Sequence, residues 1–127
     1  MNKICISVFS GFTYQTLLPA IKDIGFDGFF TDEQTANNYD ELKAVRSSAD
    51  KLGLDFETSH SAIPGCHTIW YDGNEGDEYI KILKNNIDNC KSLNIPILVV
   101  HIQIDKSVIP TLEIGLKSFI VVKIINI

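Results

Sequence analysis

Paired cysteines, a glycine-rich phosphate loop, a basic stripe and a membrane-length apolar run are all missing from this 127-residue chain. Its three cysteines, Cys5, Cys66 and Cys90, are odd in number, widely spaced and never arranged C-x-x-C. That pattern suggests neither a disulfide framework nor a zinc knuckle. No G-x-G-x-x-G follows the first apolar stretch, and Ser10-Gly11-Phe12 is no phosphate cradle, so a dinucleotide-binding fold loses ground. The net charge is −5, with no Arg/Lys run, and a phosphate-backbone partner is not favoured by such a field. No stretch reaches the length of a bilayer span. The alternating apolar start, MNKICISVFSGF, is too short and wrongly flanked for a signal peptide, so a cytoplasmic location is the expectation.

What is present is an ordinary globular composition, 45% hydrophobic and 21% charged, in a chain long enough for one domain with a real core. Period-2 and period-3.6 patterns alternate along it. Ile4, Ile6 and Val8 predict a first strand, and a helix follows. With Thr16 as its N-cap, Pro19 falls in the first turn, where a missing N–H costs nothing. Leu17, Leu18, Ile21 and Ile24 then share a face, and Gly25 stops the helix. A strand is expected from Asp27 to about Thr31. The next helix begins near Asp40, with Leu42, Val45, Ala49 and Leu52 inward and Gly53 as its stop, and a strand over residues 54–59 follows. A third helix from about Glu75 to Leu93 turns Ile80, Leu83, Ile87 and Cys90 inward, and Asn94 ends it. Residues 95–100 form a continuous apolar run, the mark of a parallel strand buried on both faces, with Pro96 at its start. Cys5 and Cys90 read as small buried hydrophobes.

Three helix-stop-strand junctions align: Ile24-Gly25-Phe26-Asp27, Leu52-Gly53-Leu54-Asp55 and Leu93-Asn94-Ile95-Pro96. Seven residues on from Gly25, Gly53 and Asn94 stand Asp32, His60 and His101. The count places all three at the carboxyl ends of their strands, the end where parallel β/α folds carry their active sites. The alternation implies an α/β fold, a partial (β/α)8 barrel of about four N-terminal strand-helix units, because a complete barrel takes about 250 residues. A fourth helix begins after residue 110 and runs without a Gly, Asn or Pro stop into an apolar tail, residues 120–127. The reading is therefore a half-barrel over residues 1–119 and an anomalous tail, the result of truncation or a frameshift near Phe119. A four-stranded piece of barrel has two open edges, which leaves self-association open.

The G-F-D-G at residues 25–28, Ser59-His60 and Val99-Val100-His101, each at a strand boundary, resemble the sugar phosphate isomerase/epimerase family. Its members have xylose isomerase-like barrels, related in fold to metal-dependent apurinic endonucleases. The resemblance covers residues 1–119 and the N-terminal half of the family barrel. It implies a divalent metal (Mn2+, Mg2+ or Zn2+) and metal-assisted proton transfer on a sugar or sugar phosphate. His60 and His101 match positions that ligate zinc in the endonuclease branch and more often touch substrate in the sugar-acting branch. Relatives often carry an acid two residues after G-F-D-G, where this chain has Phe30; Asp32 or Glu33 would then contact the carbohydrate.

Each residue also has a plainer role open to it. His60 and His101 suit a metal or a proton shuttle, or would hydrogen-bond a neighbouring loop. Asp32 and Glu33 would bind hydroxyls or supply a base, or cap and solvate the turn before the second helix. Trp70, in a long loop over residues 61–74 with His67 and Tyr71, would stack on a sugar ring or cover the core edge. No catalytic residue is assigned. Two further functions stay open: an apurinic endonuclease-like phosphodiesterase, and a catalytically inactive remnant.

Overall fold

A computed structural model describes residues 3–8, 13–31, 35–61, 65–71 and 73–100. Strand β1 (Cys5–Val8) leads to helix α1 (Tyr14–Ile24) and strand β2 (Gly28–Thr31). A 3-10 turn (Thr35–Asn37) precedes α2 (Tyr39–Leu52) and β3 (Asp55–His60). A second 3-10 turn (Cys66–Trp70) precedes α3 (Asn74–Ser92) and β4 (Ile97–Val99). All strand pairs are parallel, in the order β1-β2-β3-β4.

Each crossover joins neighbouring strands, so crossovers of one hand place α1, α2 and α3 on the same face of the sheet. The core confirms this arrangement. Leu18 and Ile21 of α1, Leu42, Val45 and Ala49 of α2, and Cys90 of α3 form one cluster with Val8, Phe29, Phe56 and Leu98 of the strands. The Phe29 and Phe56 rings stack at its centre, 4.7 Å apart. A doubly wound sheet would carry helices on both faces. Helices on one face only, with strands in chain order, give the partial barrel expected from the sequence. Among the described residues no helix is long and apolar enough to cross a membrane.

The helix stops act as expected. Gly25 (φ 100°) and Gly53 (φ 63°) cap α1 and α2 in the left-handed region, and Asn94 (φ 53°) adopts the same region after α3. Other expectations require correction. The N-cap of α1 is Thr13, not Thr16, because Thr13 O accepts the amides of Thr16 and Leu17. Pro19 consequently lies inside the helix, past its first turn. Ile24 is 74% exposed instead of inward. The buried face of α3 is Gly76, Tyr79, Leu83, Asn86, Asn89 and Cys90; Ile80 and Ile87 lie at its margin, only partly buried. Cys5 is only half-buried. Ile97, in the apolar run expected to be buried on both faces, is 47% exposed. It belongs to the row Ser7, Phe30, Thr58 and Ile97, which crosses the sheet on the face opposite the core.

Candidate functional site

The carboxyl ends of β2 and β3 are tied together by polar contacts. A register shift between Phe29 and Phe30 leaves Glu57 as an extra residue on β3, so Phe30 pairs with Thr58. Thr31 Oγ1 donates to Ser59 Oγ at 3.2 Å, and both residues are fully buried. His60, the last residue of β3 and half-buried, pairs in register with Val99, and its Nδ1 contacts the Thr31 carbonyl oxygen. A carbonyl only accepts, so Nδ1 carries a proton, and a lone pair in the neutral ring would lie on Nε2. Histidines that ligate metals are commonly oriented in this way, by a backbone carbonyl on the other ring nitrogen. The donor chemistry of His60 therefore fits a divalent ion.

Ser61 N–H then donates to Val99 O at 2.9 Å, carrying the chain past the sheet. The Ser61 hydroxyl is fully buried and makes no well-formed hydrogen bond among the described residues. It lies near enough to the Tyr79 hydroxyl to favour the phenolate slightly, but burial dominates and pushes Tyr79 up to about 12. Beyond Ser61, the expected long loop contains the 3-10 turn Cys66–Trp70. Cys66 and Ile69 pack with Tyr79 and Leu83, and half-buried Trp70 joins that cluster. His67 sits edge-on to Tyr71, ring centres 6.1 Å apart.

Of the residues singled out from the sequence, His60 and Trp70 are placed by the structure. Asp32, Glu33 and His101 lie outside the described residues, as do residues 110–127, where the tail and its preceding helix were expected. Thr31, the residue before Asp32, is the last described residue of β2 and lies beside His60; His60, seven residues on from Gly53, ends β3. Among the described residues no three His, Cys, Asp or Glu side chains gather as a metal site.

Two features were missed. One is the pair of buried amides on α3, Asn86 and Asn89, whose polar character hides them from a hydrophobic pattern. The other is the work done by the G-F-D-G segment at the opposite end of the sheet. Asp27 accepts the Ile4 amide through Oδ2 at 2.9 Å, while its backbone bonds to Ile4 and Asp55. A Cβ on Gly28 would lie 2.5 Å from the Asp55 carbonyl oxygen. Nearby, Lys3 and Asp55 form an exposed ion pair, each partner moving the other's pKa to favour the charged form.

No family model matches the chain, and no curated protein matches it. Among solved structures it is similar to a xylose isomerase domain protein from Planctomyces limnophilus, with a TM-score of 0.66 at 12% identity. The match covers 97% of this chain and 49% of that one, so the chain spans about half the length of the structure it resembles. At that identity the likeness shows the fold: a xylose isomerase-like partial barrel.

Proposed function

We propose that this chain carries one wall of a divalent-metal site in a carbohydrate isomerase or epimerase-like barrel. The observation that carries the reading is His60, at a strand's carboxyl end with its tautomer fixed by the Thr31 carbonyl. The fold of the xylose isomerase domain protein supports it. In this reading His60 and His101 hold the ion, while Asp32, Glu33 and Trp70 contact the sugar. A bound Mn2+, Mg2+ or Zn2+ would supply Lewis acidity to a sugar oxygen. The chain's own residues then orient the sugar, and Trp70 shields the site from water. The net charge of −5 weighs against a nucleic-acid substrate.

Metal content after purification, followed by Mn2+ and Zn2+ titration calorimetry, tests this. Wild-type chain should bind one ion weakly, since two histidines fall short of the roughly three protein ligands of a catalytic zinc site. His60→Ala should abolish binding. Undiminished binding in that variant would overturn the assignment, and so would no binding by the wild type.

A further inference from the structure

Strand β3 carries one residue more than its neighbour can pair. Phe29 pairs with Phe56 and Phe30 with Thr58, which leaves Glu57 opposite no residue of β2. Burial follows the same shift. Phe56 is 2% exposed and Ser59 is fully buried, three positions apart instead of two, while Thr58 and His60 are half-buried. Ser59 bonds Thr31, which shares a strand face with the core residue Phe29, so Ser59 lies on the helix side of the sheet. Glu57 and Thr58 are successive residues, yet both stand on the opposite, open face. Glu57 reaches the Cys5 thiol there, and Thr58 lies in the row between Phe30 and Ile97. Two residues against one is the pattern of a β-bulge. His60, two residues after Thr58, belongs to the open face as well.

Unbroken alternation from Phe56 would send the same residues the other way. Thr58 and His60 would turn toward the helices, and Ser59 away from them. The fully buried Thr31 hydroxyl would then lose its partner, and an imidazole would enter the apolar core. The observed register avoids both by leaving only Glu57, an exposed residue, out of the pairing. We infer that the buried Thr31–Ser59 hydroxyl pair is a register lock, which holds Glu57 out as a spare residue and keeps His60 on the open face with Nδ1 at the Thr31 carbonyl. Thr31 and Ser59 are thus positioning residues for His60. Their bearing on metal binding rests on the function proposed above; the register lock itself does not.

Removing a residue from a regular strand flips every later side chain, whereas removing a spare one flips none. Alkylation of Thr58→Cys in the full chain, located by peptide mass spectrometry, should therefore run at least about tenfold faster than at buried Cys66, with Glu57 present or deleted. Nitrogen NMR of the imidazole, at a pH where the ring is neutral, reads the lock. Wild type and Thr31→Ser should show His60 protonated at Nδ1, and Thr31→Val a mixture with the Nε2–H form. Where wild type binds Mn2+, Thr31→Val should weaken it about tenfold, Thr31→Ser should restore it, and deletion of Glu57 should leave it unchanged. Where wild type binds no Mn2+, the metal reading fails, and labelling and NMR alone decide the lock. Thr58→Cys as protected as Cys66 would overturn the proposal, and so would a Glu57 deletion that hides that thiol or fails to fold. An undisturbed Nδ1–H form in Thr31→Val, or unchanged Mn2+ affinity in that variant of a binding-competent chain, would equally sink it.

Discussion

Alanine at Gly76 sets two rules against each other in sign. Gly76 lies in the first turn of the 19-residue helix α3. On helix propensity alone, Gly→Ala stabilises by about 1 kcal/mol. But Gly76 is buried beneath the Cys66–Trp70 turn, and a Cβ there would meet the Tyr71 carbonyl oxygen at 2.4 Å and that of Thr68 at 2.9 Å. Both obstacles are backbone, so no side chain can swing aside. The turn is also braced: Thr68 Oγ1 donates to Gly65 O at 2.7 Å, and Tyr71 N–H to Thr68 O at 2.9 Å. Accommodating the methyl means moving the whole turn off α3, an overpacking cost of about 1–3 kcal/mol. The upper part of that range applies, because two carbonyls are struck at once, and it exceeds the propensity gain. Gly76→Ala should therefore lose about 1–2 kcal/mol in urea unfolding followed by far-UV circular dichroism, with the m-value unchanged. A variant more stable than wild type by about 1 kcal/mol would show that the turn does not pack on α3 as described.

Tyr79 makes the fold sensitive to alkali. Burial raises its pKa to about 12 from an ordinary 10.0, so the stability it confers is complete below pH 10 and lost as pH rises towards 12. The loss is about 2 kcal/mol by linkage and should vanish in Tyr79→Phe; unfolding curves of both proteins between pH 9 and 11.5 check it. Thiol labelling tests the burial pattern. Burial pushes Cys90 up to about 12, Cys66 is 1% exposed, and Cys5, half-buried, is raised by burial and then by Glu57. At pH 8 a disulfide reagent should modify Cys5 alone, and slowly, with all three reacting in denaturant; rapid reaction at Cys66 or Cys90 in the native protein would contradict the packing.

The alternation of strands and helices was legible because its signals are local. An apolar residue every second or every third-to-fourth position, closed by Gly25, Gly53 or Asn94, needs no tertiary knowledge to read. The misreadings share a physical cause: each depended on what another element does. The run containing Ile97 looks the same whether its second face is covered or open, and only the one-sided arrangement of the helices decides. Asn86 and Asn89 look like solvent-facing positions until the Thr35–Asn37 turn supplies their partners, from roughly fifty residues away in the chain. Thr16 was a sound capping residue by type, yet Thr13 took the role three residues earlier, and a proline inside α1 followed. Element ends are where such competition is closest.

The same distinction bears on what the family-like residues mean. Gly25 turns the chain, Asp27 bonds the Ile4 amide, and Gly28 lets β2 approach Asp55 closely. These are demands of the amino end of the sheet, where side chains in β/α barrels serve stability and not chemistry. That motif, the most recognisable in the chain, is accounted for by the packing of this junction. His60 differs, because at the opposite end its orientation is set by a carbonyl on the neighbouring strand. No local pattern demands that contact, and a strand can end without it. The candidate site therefore owes nothing to G-F-D-G and rests on the His60–Thr31 contact. His60→Asn tests that contact directly. The asparagine Nδ2 occupies the place of Nδ1 and can still donate to the Thr31 carbonyl but leaves no second ring nitrogen, so the fold should persist while Mn2+ binding is lost. Loss of folding in His60→Asn would instead make the imidazole a structural strut.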